Sequence, residues 1–402
     1  MVPNRWVILG VLFLVRFALG YQFQAAGSVG PILVRDLAID WADVGMLVGA
    51  FMLPGLVVSI PGGFLGQRFG DKRMVLLGSA LMTAGGLLSG AAGSYRLLVT
   101  GRVVSGIGAA FLFVLVNKMV ADWFTGSALF LGLSVFIVGW PIGIAAGQAT
   151  QALAAELWSW QTVFVGTAVL MLGAFISMAA LYRAPPSATG TVRGPAARLD
   201  RREIWLVCIA GAVWMLINGA YLVLLTFGPT LLTERGASVA GAAAVVSSMS
   251  WVFVVGLPLG GWLATRFKLP NLIMMGGLLV ATVLAALLPV VDLPVPMFLV
   301  HGLSYAIAAP VVASLVVEAL RPETRGPGLG IYYLWYYAGS AALPTVGGML
   351  KDNFGTHAAV LFAAAQLVGT LLLIAFFRVE QRRLASTTKT MTPSVLAVDD
   401  RK

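Results

Sequence analysis

Long apolar runs separated by short polar stretches repeat along the whole chain. A helix needs about 20 apolar residues to cross the roughly 30 Å core of a bilayer, and lipid offers no hydrogen-bond partners to loose backbone groups. Runs of this length therefore predict membrane-spanning helices. Twelve are predicted, at residues 6–33, 43–66, 73–93, 96–120, 127–151, 160–182, 204–231, 239–264, 271–290, 295–319, 329–350 and 358–378.

The composition supports a chain dissolved largely in lipid. Of its 402 residues, 59% are hydrophobic and 10% are charged, whereas a soluble domain carries about 25% charged residues. The net charge of +10 would indicate nucleic-acid binding in a soluble protein. Here the basic residues lie in loops beside the spans, so the expected partner is the lipid bilayer and no nucleic acid is expected.

The basic residues also predict the orientation. With the N-terminus in the cytoplasm, 19 of the 26 lysines and arginines fall on the cytoplasmic side and 4 on the other. Basic loops remain cytoplasmic in membrane proteins. We therefore expect a multi-pass protein of the inner (cytoplasmic) membrane with both termini in the cytoplasm.

A polar stretch rich in proline, glycine and arginine divides the twelve spans into six and six, and it has the composition of a flexible linker. The expected organisation is a six-helix bundle at 1–183, a cytoplasmic linker at 184–203, a second six-helix bundle at 204–378 and an unstructured cytoplasmic tail at 379–402.

The two bundles resemble each other in sequence. Residues 62–69 are Gly-Gly-Phe-Leu-Gly-Gln-Arg-Phe, and residues 260–267 are Gly-Gly-Trp-Leu-Ala-Thr-Arg-Phe. The offset is 198 residues, and both segments end the second span of their bundle. Two such repeats related by an axis along the membrane normal are one of the architectures of secondary transporters.

The loop after the second span resembles the signature of the major facilitator superfamily, Gly-x-x-x-Asp-Arg-x-Gly-Arg-Lys. Gln67 stands where the family has aspartate, and Asp71 where it has arginine. The matching positions are Gly63, Arg68, Gly70 and Lys72. In the family this aspartate helps to latch the two halves together on the cytoplasmic side, so with Gln67 the latch would be weaker or differently wired.

Two further patterns extend the resemblance over the chain. Arg102, Gly106 and Gly108 occupy the fourth span, and Gly139-Trp140-Pro141-Ile142-Gly143 in the fifth resembles the family's Gly-Pro-x-x-Gly motif. The resemblance implies an all-α membrane fold of twelve helices in two pseudo-symmetric halves. The first two spans also look similar to those of cyanate-permease-like anion carriers.

Charges inside a membrane are costly and mark functional sites. Arg16 lies about ten residues into the first span, roughly 15 Å deep. Its planar guanidinium matches a carboxylate. It either binds a substrate anion or is a structural arginine bonded to carbonyl groups or another partner. The predicted substrate-binding residues are Arg16, Gln24, Asn218, Tyr221, Tyr333 and Tyr337.

A second group of residues is assigned to coupling or gating. Glu318 either carries a coupling proton or pairs with Arg321 or Arg325, and Lys118 is expected to reach the membrane surface along its aliphatic chain. The predicted coupling or gating residues are Arg102, Glu318, Asp36, Arg68, Lys72, Gly63 and Gly70.

The embedded cations favour an anionic solute. We expect a monomeric secondary transporter that moves a small anion by alternating access, coupled to a proton. One alternative is an exporter of hydrophobic or drug-like compounds, and another is a transporter-like receptor. One cysteine and two histidines provide no metal site or nucleophile cluster, so neither a metal, a cofactor nor an enzymatic activity is expected.

Overall fold

The computed structural model describes residues 4–124, 127–185 and 198–390. These residues form helices and contain no strand. The sixteen α-helices are α1 Arg5–Ser28, α2 Gly30–Leu37, α3 Trp41–Met52, α4 Gly55–Phe69, α5 Asp71–Gly90, α6 Tyr95–Trp123, α7 Ser127–Ile137, α8 Gly139–Leu157, α9 Trp160–Leu181, α10 Arg201–Glu234, α11 Val239–Trp251, α12 Phe253–Phe267, α13 Pro270–Leu287, α14 Pro294–Ala319, α15 Arg325–Phe354 and α16 Thr356–Thr390.

Eleven segments of the described residues are long and apolar enough to cross a membrane. The one predicted span that is not among them, 329–350, corresponds to α15, whose 30 residues extend about 45 Å at 1.5 Å per residue. It is not among the eleven because four tyrosines and a tryptophan between residues 332 and 337, together with glycine and proline, lower its hydropathy. The predicted all-α fold is confirmed.

Several predicted single spans are pairs of helices joined end to end. The first breaks at Val29, before Gly30 and Pro31, and the second breaks between Met52 and Gly55, around Pro54. Proline lacks the amide hydrogen that continues a helix. The fifth and eighth spans are also divided, between α7 and α8 and between α11 and α12.

Glycines bring neighbouring helices into backbone contact. A methyl group on Gly108 of α6 would overlap the carbonyl oxygen of Gly78 in α5, and one on Gly143 of α8 would overlap that of Phe17 in α1. Small residues allow this approach where lipid offers no hydrophobic drive for association. Gly108 and Gly143 therefore set how closely these pairs of helices pack.

The two six-helix bundles meet mainly at one end of the molecule. There α3 packs closely along α15, and α8 along α11, while α4 and α12 make far smaller contacts with the opposite bundle. A methyl group on Gly49 of α3 would overlap the carbonyl oxygen of Ala341 in α15. We call this the closed end, and the opposite end, which holds the loop at Gly70, the open end.

Helices α10 and α16 extend into the segments predicted as linker and tail. Residues 186–197 and 391–402 lie outside the described residues. The predicted linker includes Arg201–Glu203, but α10 begins at Arg201 because the Asp200 carboxylate accepts from the Glu203 amide at 2.7 Å. The predicted tail begins at 379, but α16 continues to Thr390. Within this extension the Glu380 carboxylate accepts a hydrogen bond from the indole of Trp205 in α10.

Candidate functional site

Arg16 lies at the middle of α1, inside the N-terminal bundle. Its Nε and Nη1 atoms are buried and have no hydrogen-bond partner among the described residues. No ion pair to Arg16 occurs among those residues either. A buried cation without an acceptor is costly in a membrane interior, so the site favours an anionic ligand.

Aromatic side chains surround this guanidinium. Its Cζ atom lies 4.9 Å from the ring centre of Phe113, 5.3 Å from that of Phe136 and 5.6 Å from that of Trp140. Cations interact favourably with aromatic faces, which explains how an unpaired arginine is tolerated there. We call Arg16 and these three rings the arginine box. The sequence analysis did not assign the three rings to the site, because their apolar positions within the spans look like ordinary core.

The second bundle adds tyrosines to the box. Tyr333, Tyr336 and Tyr337 of α15 lie within electrostatic range of Arg16. The ring centres of Phe113 and Tyr337 are 6.4 Å apart, edge to face, across the interface between the bundles. The structure thus brings Arg16 together with the predicted Tyr333 and Tyr337. Tyr336 also lies near Arg16, because the aromatic cluster covers more than one face of α15.

Arg102 provides a contrast within the same bundle. It is 1% exposed. Its Nε donates to the Leu47 carbonyl at 3.0 Å, and its Nη1 and Nη2 donate to the carbonyls of Gln22 and Phe23, each at 2.9 Å. These bonds hold α1 and α3 against α6. Arg102 therefore has the structural contacts that Arg16 lacks, and it does not reach the cleft between the bundles.

Gln24 does not join Arg16. It is buried eight residues along α1 toward the closed end, and its side-chain amide donates to the Gln148 carbonyl oxygen. Gln148 in turn donates to the Leu225 carbonyl of the opposite bundle at 3.4 Å. Gln24 thus belongs to a network at the closed interface.

Asn218 and Tyr221 also lie apart from Arg16. The Asn218 amide donates to the Trp214 carbonyl one turn earlier at 2.8 Å. The Tyr221 hydroxyl lies 2.7 Å from the Ser250 hydroxyl, and its ring packs against those of Phe253 and Tyr305. These hydrogen bonds lie inside the C-terminal bundle. Among the described residues, no direct contact joins either of them to Arg16.

The loop that resembles the family signature lies at the open end. Gly70 has φ of +91°, a conformation that L side chains rarely adopt, and it separates α4 from α5. Lys72 donates to the carbonyls of Ala179 and Tyr182 at 2.8 and 2.7 Å, which fixes the end of α9. Arg68 is exposed and stacks on Phe69.

Gly63 and Gln67 lie in α4, where the structure describes their backbone but not their side-chain surroundings. Asp71, which replaces the family's arginine, pairs with Lys118 of α6. Lys118 was expected to extend to the membrane surface, and in the structure its half-exposed side chain meets the Asp71 carboxylate at the open end. The loop at the open end is therefore held in part by the Asp71–Lys118 ion pair, which the family signature does not include.

Glu318 pairs with Arg378 of α16, rather than with Arg321 or Arg325 as one interpretation predicted. Arg321 donates to Glu203 instead, and this carboxylate raises the pKa of the Arg321 guanidinium. Asp36 accepts from its neighbour Arg35 at 2.7 Å. The contacts of Glu318 and Asp36 therefore remain within single bundles.

Three relatives of known substrate are similar to parts of the chain. The 3-(3-hydroxy-phenyl)propionate transporter of Escherichia coli is 29% identical over 60% of each chain. The 4-hydroxybenzoate transporter PcaK of Acinetobacter baylyi is 23% identical over 70% of each. The quinolone resistance protein NorA of Staphylococcus aureus is 28% identical over 28% of this chain and 29% of its own. The alignment thus spans less than two thirds of the length of the first of these relatives.

The fold is also found among solved structures. A bacterial homologue of the human lysosomal transporter Spinster, in an inward-facing and unoccupied conformation, has a TM-score of 0.75 and 17% identity, with 95% of this chain and 98% of that chain covered. The family model of the Major Facilitator Superfamily matches residues 12–300 and 207–397. The narrower resemblance to cyanate-permease-like carriers stays a prediction. The chain belongs to the Major Facilitator Superfamily of membrane transporters, and it is not an enzyme.

Proposed function

We propose that this transporter moves a small organic anion that carries an aromatic ring, and that Arg16 binds its carboxylate. The observation that carries the proposal is the pair of buried Arg16 nitrogens without an acceptor. A carboxylate placed there would receive charge-assisted hydrogen bonds, which are about twice as strong as neutral ones. Two of the relatives above transport hydroxylated aromatic acids, which supports this class of solute.

The rings around Arg16 support the aromatic part of the solute. Phe113 and Trp140 lie 4.8 Å apart, and both are only partly buried. Aromatic pairs favour offset or edge-to-face contacts at 4.5–7 Å, so a third ring beside them gains contacts that an aliphatic chain does not. The hydroxyl groups of Tyr333 and Tyr336 offer hydrogen bonds to a ring substituent. Gln24, Asn218 and Tyr221 are not part of this proposed site because their polar groups are satisfied elsewhere.

We propose the orientation with the open end in the cytoplasm of a bacterial cell and both termini on that side. The excess of lysine and arginine on that side supports it. In this orientation the close packing of α3 on α15 closes the outer side. We also propose that the functional unit is a monomer, because the arginine box is built within one chain.

Proton coupling is part of the proposal for an importer. An anion that enters against an inside-negative potential costs about 2.3 kcal/mol per charge and 100 mV. Entry of one proton with a monovalent anion makes the step electrically neutral. Glu318 stays a candidate for the proton carrier, since protonation would break its ion pair with Arg378 between α14 and α16.

The direct test is ligand-induced thermal stabilisation of the purified protein. A ligand that binds only the folded protein raises its stability by mass action. The panel contains benzoate, 4-hydroxybenzoate, 3-(3-hydroxyphenyl)propionate, cyanate, an aliphatic monocarboxylate and the neutral amide of each aromatic acid. The proposal expects a shift with aromatic acids and none with their amides. Stabilisation by hydrophobic neutral or cationic compounds alone would favour the exporter instead.

A further inference from the structure

The closed end holds two carboxylates that reach across the interface in opposite directions. Asp352, at the end of α15 in the C-terminal bundle, accepts from the backbone amides of Trp41 and Ala42 at 3.0 and 2.9 Å. These amides begin α3 of the N-terminal bundle. Glu156, at the end of α8 in the N-terminal bundle, accepts from the amide of Ala240 at 3.1 Å, and this amide begins α11 of the C-terminal bundle.

The two contacts are related by the internal repeat. Ala240 follows Ala42 by 198 residues, which is the offset between the repeated segments at 62–69 and 260–267. The helices α3 and α11 start the second span of each bundle, and α8 and α15 end the fifth. Each bundle thus contributes one acceptor carboxylate and one helix N-terminus at equivalent places.

The first amides of a helix have no partner within the helix. In α3, Asp40 and Asp43 form a capping box, in which each side chain accepts from the backbone amide of the other. Asp352 accepts from the two backbone amides between them. In α11, the Ser238 hydroxyl accepts from Gly241, and Glu156 accepts from the amide just before it. The opposite bundle therefore completes each cap, and separation of the bundles at this end leaves these amides to water.

A third contact stabilises the same interface. The Lys351 ammonium lies 4.4 Å from the ring centre of Trp41 and pairs with Glu234 at 2.9 Å. The cation thus holds the last turn of α15 against the first residue of α3, beside the amides that Asp352 accepts. The contact therefore helps to fix the position of Asp352 relative to the start of α3.

We infer that Asp352 and Glu156 form a two-point latch, in which each carboxylate caps a helix of the opposite bundle and holds the closed end of the transporter shut. Carboxylates near a helix N-terminus are favoured by its partial positive charge, and this effect acts only within the first turn. The latch therefore releases completely once the bundles move apart by a few ångströms. It rests on the two-bundle fold and not on the identity of the solute.

The test measures the separation of the bundles at this end. Cys208 is the single cysteine of the chain, so Cys208→Ser permits spin labels at Trp158→Cys and Val290→Cys, which replace residues 71% and 75% exposed on opposite bundles. Pulsed electron paramagnetic resonance then gives the ratio of closed to open molecules. We expect Asp352→Ala and Glu156→Ala each to lower this ratio about two- to fivefold, and the double variant to lower it by roughly the product.

Asp292→Ala is the matched control, because Asp292 lies at the same end, its side chain is 87% exposed, and its ion pair among the described residues is with Arg235 of its own bundle. Asp352→Asn retains the size of the side chain without its charge and serves if Asp352→Ala does not fold, as judged by gel filtration and thermal unfolding. An unchanged distance distribution in the folded double variant would overturn the latch. An equal shift with Asp292→Ala would also overturn it, since the effect would then follow surface charge alone.

Discussion

Replacement of Arg16 is expected to weaken solute binding while the ligand-free protein keeps its stability. Two buried nitrogens of Arg16 have no acceptor, so a bound carboxylate gains at least one charged hydrogen bond, worth about 1.5–3 kcal/mol. Since 1.4 kcal/mol corresponds to a tenfold change, Arg16→Ala is expected to raise the Kd of an aromatic acid about 10- to 150-fold. Arg16→Lys retains the charge without the planar fork, and an intermediate loss is expected.

The effect on stability distinguishes a binding arginine from a structural one. Arg16→Ala removes a buried charge that has no partner, so the thermal midpoint of the ligand-free protein should stay the same or rise. Isothermal titration calorimetry with 4-hydroxybenzoate and thermal unfolding of the same preparations measure the two quantities. A variant that unfolds at lower temperature and binds as tightly as the wild type would refute the reasoning and make Arg16 structural.

Four further outcomes are expected. Arg102→Ala removes three charged hydrogen bonds that hold α1 and α3 against α6, so it should cost about 3 kcal/mol or more and reduce the yield of monodisperse protein. Phe113→Leu should weaken binding of aromatic acids about three- to tenfold and leave any aliphatic anion unaffected, measured by the same titrations. Gly49→Ala should hinder closure at Ala341 and increase the open population of the spin-labelled protein. The Asp71–Lys118 pair is partly exposed, so a double-mutant thermal-unfolding cycle with Asp71→Asn and Lys118→Met should give a coupling of about 0.2–1 kcal/mol.

The spans were predictable because hydrocarbon imposes one simple requirement on the sequence. Runs of about 20 apolar residues predicted the helices, and the offset of 198 residues predicted two bundles. The breaks at Val29 and Pro54 were not predicted, since they depend on how each half of a span packs against its neighbours. The continuation of α16 past residue 378 includes a hydrogen bond between Glu380 and Trp205, which lie far apart in sequence.

The site was predictable only in part. The depth of Arg16 is a property of one helix and was available from the sequence, whereas its surroundings come from the faces of α6, α7, α8 and α15 that meet in space. Gln24 lies two turns beyond Arg16 on α1, but its side-chain amide is hydrogen-bonded to Gln148 at the closed end. Whether a polar residue faces the cleft is decided by partners that a single sequence does not reveal.

Uptake into proteoliposomes tests the central claim most directly. Purified protein is reconstituted, and the outside of the vesicles is made more acidic than the inside. Accumulation of radiolabelled 3-(3-hydroxyphenyl)propionate is then followed for the wild type and for Arg16→Ala. The neutral amide of the acid is the control solute. The account predicts accumulation of the acid by the wild type, collapse of that accumulation with a protonophore, and no accumulation by Arg16→Ala or of the amide. Equal accumulation of the acid by Arg16→Ala and the wild type would contradict it.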